Sequence, residues 1–207
     1  MGNKLKITCF CESELEIEVP ESVDLSEDDA LEERILSGAF LSFRCGQCGK
    51  ILKPELPLSV RDSSRGMELF LVPELERGAY FMGKTSYAVS DAVHGRIVIG
   101  YPELVEKLKI ARSGLDDRVV ELIKYLLGQK TDGSDTIQIL FHEGDAERLT
   151  FHILGLKEGE VGVSKVPRSF YERMEGELEA RSADEPYRSI VEPPYVSINK
   201  MIIEVGE

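Results

Sequence analysis

Cys9-Phe10-Cys11 and Cys45-Gly46-Gln47-Cys48 contain all four cysteines of the chain, as two close pairs one helix-and-strand length of sequence apart. Two pairs carried on two turns can bring four thiolates around one ion, and tetrahedral four-cysteine coordination is a common structural zinc arrangement. The spacing therefore predicts Cys9, Cys11, Cys45 and Cys48 as metal ligands and structural Zn2+ as the cofactor. Cys45 to Cys48, followed by Gly49, fits a zinc knuckle whose turn amides hydrogen-bond the sulfurs. The first pair is one residue shorter, and Glu12 stands where a glycine would ease a left-handed turn. Positions i and i+2 of a strand still point to one face, so both sulfurs can reach one ion. Two other chemistries use the same residues: a thiol-redox pair and simple apolar burial. A redox Cys-x-x-Cys opens a helix, and Ile51-Leu52-Lys53-Pro54 is a poor helix start.

Outward from the cysteines, Lys4 to Thr8 and Glu14 to Val19 alternate polar with apolar residues, like the arms of a hairpin with the first pair at its tip. After Pro20, Ser26 with Asp29 reads as a capping box for a helix carrying Leu31, Ile35 and Leu36 and ended by Gly38. Phe40 to Arg44 reads as a strand into Cys45. Ile51 to Val60 leaves as a second strand, which Pro54 and Pro57 make an edge or a broken one. A strand at Glu68 to Val72 and β-like segments at Ala79 to Met82 and Arg96 to Ile99 follow. Two helices come next, one opened by Pro102 with Leu104, Val105, Leu108 and Ile110 inward, the other from about Asp116 to Leu127 with Gly128 as its stop.

Lys130-Thr131-Asp132-Gly133-Ser134-Asp135 is the strongest linker signal, so the sequence predicts domains at 1–130 and 131–207. Beyond it, Ile137, Ile139 and Phe141 alternate on one strand and Leu149, Phe151 and Ile153 on the next, around a turn at Glu143 to Ala146. In that register His142 faces Arg148 and His152 faces Gln138, so the two histidines are not neighbours. A strand at Val161 to Val166 and a helix from Pro167 to Ala180 would cover the buried face. Ser182 to Pro194 reads as a loop and Val196 to Val205 as an apolar segment. The expected fold class is α+β: an N-terminal zinc-ribbon-bearing domain with antiparallel strands and helices, plus a smaller sheet-and-helix unit.

Composition narrows the partners. The 207 residues carry a net charge of −13 with a pI near 4.8, and 42% of them are hydrophobic, enough for a real core. Residues 12–33 hold eleven carboxylates and no Lys or Arg. Such a surface disfavours nucleic acid and anionic membranes, and no apolar run approaches the ~20 residues of a membrane helix. No secretory leader pattern follows Met1, so a reducing cytoplasm is the expected compartment. Gly78-Ala79-Tyr80-Phe81-Met82-Gly83-Lys84-Thr85 has P-loop spacing, but Ser86 onward does not start the helix a P-loop needs. His94 sits alone in a glycine-flanked turn, and Asp116-Asp117 suits a helix start without catalysis.

The cysteine pairs, the acidic helix ending in Leu36-Ser37-Gly38, the block Phe43-Arg44-Cys45-Gly46-Gln47-Cys48-Gly49, Asp62 and Leu71-Val72-Pro73 together resemble the CpXC domain of bacteria and archaea. Leu104-Val105-Glu106-Lys107 and Gly114-Leu115-Asp116-Asp117-Arg118 resemble its second half, so the resemblance spans about residues 5–130. The family signature is Cys-Pro-x-Cys twice. Here the first is shortened, and Gly46 replaces the proline of the second. The resemblance implies zinc at the four cysteines and no assigned activity. The expected function is a zinc-binding, non-enzymatic module whose partner is another protein. An enzyme with a pocket between the two units and a nucleic-acid-binding ribbon are the alternatives.

Overall fold

A computed structural model describes residues 2–28, 30–87, 89, 94–130 and 137–201, with His94 described by its backbone alone. The chain divides into two compact units, Met1–Val105 and Glu106–Glu207. This division falls earlier than the 130/131 boundary read from the sequence, where residues 131–136 lie outside the described residues. The physical reason is that the helix at Asp117–Gly128 gives its apolar stripe to the core of the C-terminal hairpin. The architecture is α+β, as expected.

In the first unit, β1 (Gly2–Thr8) and β2 (Glu14–Pro20) form the expected hairpin, closing at Thr8 opposite Glu14. Exposed Lys4–Glu16 and Lys6–Glu14 pairs, 3.8 and 3.6 Å apart, line its polar face, while Ile17 and Val19 are buried. After β3 (Ser22–Asp24), Asp24 rather than Ser26 is the cap, its Oδ1 accepting the Ser26 N–H at 2.9 Å on a short 3-10 turn. Asp29 of the expected capping box lies outside the described residues. The helix itself, α1, is only Leu31–Leu36. β4 (Phe43–Arg44) and β5 (Ile51–Leu52) make a second, minimal hairpin. Pro54 and Pro57 do break the following segment, and β6 (Leu58–Asp62) belongs to another sheet.

That sheet has the order β3-β6-β7-β8, with β7 at Met67–Val72 and β8 at His94–Ile99. β3 is parallel to β6 and β7 to β8, while β6 and β7 are antiparallel. Near-continuous buried runs in β6, β7 and β8 suit a sheet covered on both faces. Between β7 and β8, the expected β-like stretch at Ala79 to Met82 is instead helical: α2 spans Arg77–Phe81. The P-loop spacing thus folds as a helix end followed by a turn, with Gly83 at φ +65°, the reverse of a loop that starts a helix.

α3 (Tyr101–Arg112) follows Gly100 and crosses the division between the units. In the second unit, α4 (Asp117–Gly128) is N-capped by Asp116, whose Oδ1 accepts the Arg118 N–H. It packs in one core with the antiparallel sheet of β9 (Gln138–Gly144), β10 (Arg148–Lys157) and β11 (Glu160–Pro167). The expected covering helix is split into α5 (Arg168–Gly176) and α6 (Leu178–Arg181), and the expected loop contains α7 (Tyr187–Val191). Residues 202–205 of the expected C-terminal apolar segment lie outside the described residues.

Ile139, Phe141, Leu149, Phe151 and Ile153 are buried, as the alternation predicts. The register is not the simple one. Glu143 pairs with Thr150 but Phe141 pairs with Phe151, so His142 is an extra residue at a β-bulge. The bulge turns His142 onto His152, and the rings stack at 3.9 Å with planes 17° apart. The expectation that these histidines are apart is therefore corrected, since an uninterrupted ladder does not accommodate the Asp145–Arg148 turn that closes the hairpin.

Charge is also buried in this unit. Lys124 Nζ lies 2.9 Å from Glu106 and 3.0 Å from Glu121, and Lys107 Nζ lies 3.1 Å from Glu121 and 3.0 Å from Asp117. Glu106 also accepts the Phe141 N–H at 2.6 Å, and Glu121 accepts the Ile198 N–H at 3.0 Å. The network thereby fixes β9 and the C-terminal segment to the helices. Burial raises the Glu106 pKa against the pull of Lys124, whereas the two lysines outweigh burial and lower that of Glu121.

Two outcomes follow from this unit. Lys124→Met leaves Glu106 and its neighbour undercompensated and should destabilise the protein by about 3–5 kcal/mol in urea denaturation. An effect under about 1 kcal/mol would contradict the network. His152 is held below its ordinary 6.5 by lost solvation, then by His142 and Lys109, with Glu143 opposing. The folded chain thus binds its proton less readily than the unfolded chain, so stability falls as pH drops through the ordinary value. His142→Ala should move the His152 titration upward by NMR; an unchanged midpoint would dismiss the coupling.

Candidate metal centre

Both cysteine pairs sit on hairpin turns, one between β1 and β2 and the other between β4 and β5. In the second turn the Cys45 N–H donates to Lys50 O and the Gly49 N–H donates to Cys45 O, at 2.8 and 2.9 Å, with Gly49 at φ +73°. The first turn closes in the same way with one residue fewer. The Cys9 N–H donates to Ser13 O and the Glu12 N–H to Cys9 O, both at 2.9 Å. Glu12 occupies the left-handed position of Gly49, at φ +65°. The shortened knuckle therefore keeps its shape by holding a non-glycine residue in a region that costs an L-residue about 1–2 kcal/mol.

The two turns bring all four cysteines together, with every sulfur within 4.8 Å of the others. Cys9 to Cys48 is 3.6 Å and Cys11 to Cys45 is 3.7 Å. The set mixes burial: Cys9 and Cys45 are 3% and 1% exposed, while Cys11 and Cys48 face solvent. Among the described residues, Leu52, Ile7 and Leu15 are the apolar side chains packed with the buried pair. Above it Phe10 is 83% exposed, with the Lys50 ammonium 5.5 Å from its ring centroid.

Hydrogen bonds distinguish the sulfurs. Cys45 accepts from the Ser13 hydroxyl and from the Cys48 and Gln47 amides, and its pKa falls to about 6. Cys11 shares the single Ser13 hydroxyl proton with Cys45 and accepts from the Ser13 amide, and both lower its pKa. The Lys50 amide favours the Cys48 thiolate, but lost solvation and the three neighbouring sulfurs push that thiol up to about 11. Four thiols at this spacing resist full ionisation unless a cation offsets their charge. A tetrahedral ion with metal–sulfur bonds of ~2.3 Å separates its ligands by ~3.8 Å, so this donor set fits a metal ion.

Ser13 is the site residue that the cysteine spacing does not reveal. Its signal is positional: it stands two residues after Cys11 as Lys50 stands two after Cys48, and each amide bonds the sulfur before it. Among the described residues, no other cluster of three or more His, Cys, Asp or Glu side chains is placed to hold a metal.

A model of the CpXC protein family matches residues 7–124, covering both knuckles and ending within the helix at Asp117–Gly128. A protein of Treponema pallidum (strain Nichols), described as uncharacterized, is 28% identical over 191 residues, covering 84% of this chain and 88% of its own length. No solved structure matches the chain.

Replacing Glu12 by Gly should relieve the left-handed strain by about 0.5–1 kcal/mol after the entropy cost of glycine. Hydrogen–deuterium exchange at the Cys9 and Glu12 amides should then slow roughly twofold to fivefold, in proportion to that energy. Faster exchange in the variant would show that the Glu12 side chain contributes more than its backbone costs.

Proposed function

The chain belongs to the CpXC family, and we propose that it is a zinc-stabilised protein-interaction module in which Cys9, Cys11, Cys45 and Cys48 hold one structural Zn2+. The observation that carries the metal reading is the pair of cross-knuckle sulfur distances, 3.6 and 3.7 Å, beside the ~3.8 Å of tetrahedral zinc thiolate. A thiolate-only set favours soft or borderline metals over Mg2+ or Ca2+, and four protein ligands leave no open position for a substrate or activated water. A reducing cytoplasm is the compartment in which such thiolates persist. Among the described residues, no helix is long and apolar enough to cross a membrane.

The interaction reading is supported by Phe10. Its neighbours on both sides are ligands, so a bound ion would fix the backbone under an exposed aromatic ring before any partner arrives. Preorganised aromatic anchors lose little entropy on binding, which favours a protein partner. Nucleic acid is disfavoured: Lys4 and Lys6 pair with cross-strand glutamates, Arg44 donates to Gly49 O, and the whole chain carries −13. These cations are spoken for within the ribbon rather than gathered for phosphates.

Reduced protein should contain one zinc per chain by elemental analysis, and Cys45→Ser should lose it. Chelation should unfold the knuckles while the unit at 106–207, with its own apolar core, stays folded. Metal-free protein that cannot be loaded would sink the zinc reading.

A further inference from the structure

We propose that Ser13 is a positioning residue of the metal centre, whose hydroxyl bridges the two knuckles across the Cys11–Cys45 edge and ties the shortened first knuckle to the second. The inference rests on the zinc reading above. In the second knuckle two residues separate the cysteines, and the Gln47 and Cys48 amides both reach the Cys45 sulfur. The first knuckle has only Phe10 between its cysteines and so contains one peptide fewer. Ser13 Oγ stands 3.2 Å from Cys11 Sγ and 3.1 Å from Cys45 Sγ, across the edge where those two sulfurs are 3.7 Å apart.

Both sulfurs are hydrogen-bond acceptors once they are thiolates, so the serine must act as donor, serving either partner with its single proton. Its backbone is fixed independently of the hydroxyl: Ser13 O accepts the Cys9 N–H at 2.9 Å, and the Ser13 amide bonds Cys11. The side chain is therefore held over the Cys11–Cys45 edge by the same turn that presents Cys9 and Cys11. A donor there lowers sulfur basicity, restrains both rotamers and joins the two hairpins outside the coordination sphere. Outer-shell donors of this kind typically change metal affinity 10- to 100-fold.

Wild-type, Ser13→Ala and Ser13→Thr full-length chains would be loaded with Zn2+ and titrated against a chromophoric chelator. The same proteins loaded with Co2+ would give the sulfur-to-cobalt charge-transfer band. Ser13→Ala keeps both backbone bonds and removes only the hydroxyl, so zinc affinity should fall about 10-fold or more. The cobalt band should move to lower energy, because the sulfur lone pairs lose their donor. Threonine retains a hydroxyl and should recover both readouts. With a loaded wild type, an alanine variant that binds within twofold, or one whose band does not move, overturns this proposal and leaves the zinc reading standing. Failure of threonine to recover either readout overturns it as well. A wild type that takes up neither metal overturns both readings.

Discussion

Four sulfurs within 4.8 Å of one another are an electrostatic conflict that must be resolved before the ribbon can be stable. The apolar contacts beneath them are few, with Leu52, Ile7 and Leu15 against the buried cysteines. Hydrogen bonds settle part of the conflict by drawing Cys45 toward thiolate, and the neighbouring sulfurs push Cys48 the other way. A divalent cation resolves the remainder in the proposed reading, since structural zinc contributes on the order of 10 kcal/mol, more than so small an apolar cluster can supply. In the proposed reading, the metal is thus the core of the ribbon, and the two hairpins are its scaffold.

The second unit meets buried charge by the opposite means. Glu106, Lys107, Glu121 and Lys124 neutralise one another within an apolar core that includes Val119, Val120, Ile123, Phe141 and Phe151. Each carboxylate also accepts a backbone N–H from another part of the unit. Desolvation makes such a network a poor source of net stability compared with apolar packing. Its geometry instead selects where β9 and the segment at Ile198 can sit, because any other placement strands a buried acceptor.

Where local chemistry decides the structure, it was legible in the residues. The hairpin flanking Cys9 and Cys11 follows from strict alternation, and α4 follows from Asp116 and a 3.6-residue stripe. The grouping of the four cysteines followed from spacing alone. Three features departed from the local patterns. Ala79 to Phe81 became helical despite their β-like composition. The β-bulge at His142 answers to the geometry of the Asp145–Arg148 turn. Ser13 reaches Cys45 only because folding lays the two turns side by side. No local pattern marks Lys107 and Lys124, and only the folded helices show that both are buried.

The charge network also restricts how this sequence can drift. A change at Lys124 alone strands Glu106, and a change at Glu106 alone strands Lys124 and the Phe141 N–H. Each single step therefore passes through a chain weaker than either end point, while a paired replacement by apolar residues of similar volume can be neutral. Substitutions at these helix positions should consequently become fixed together or not at all, giving correlated variation among descendants within the second unit.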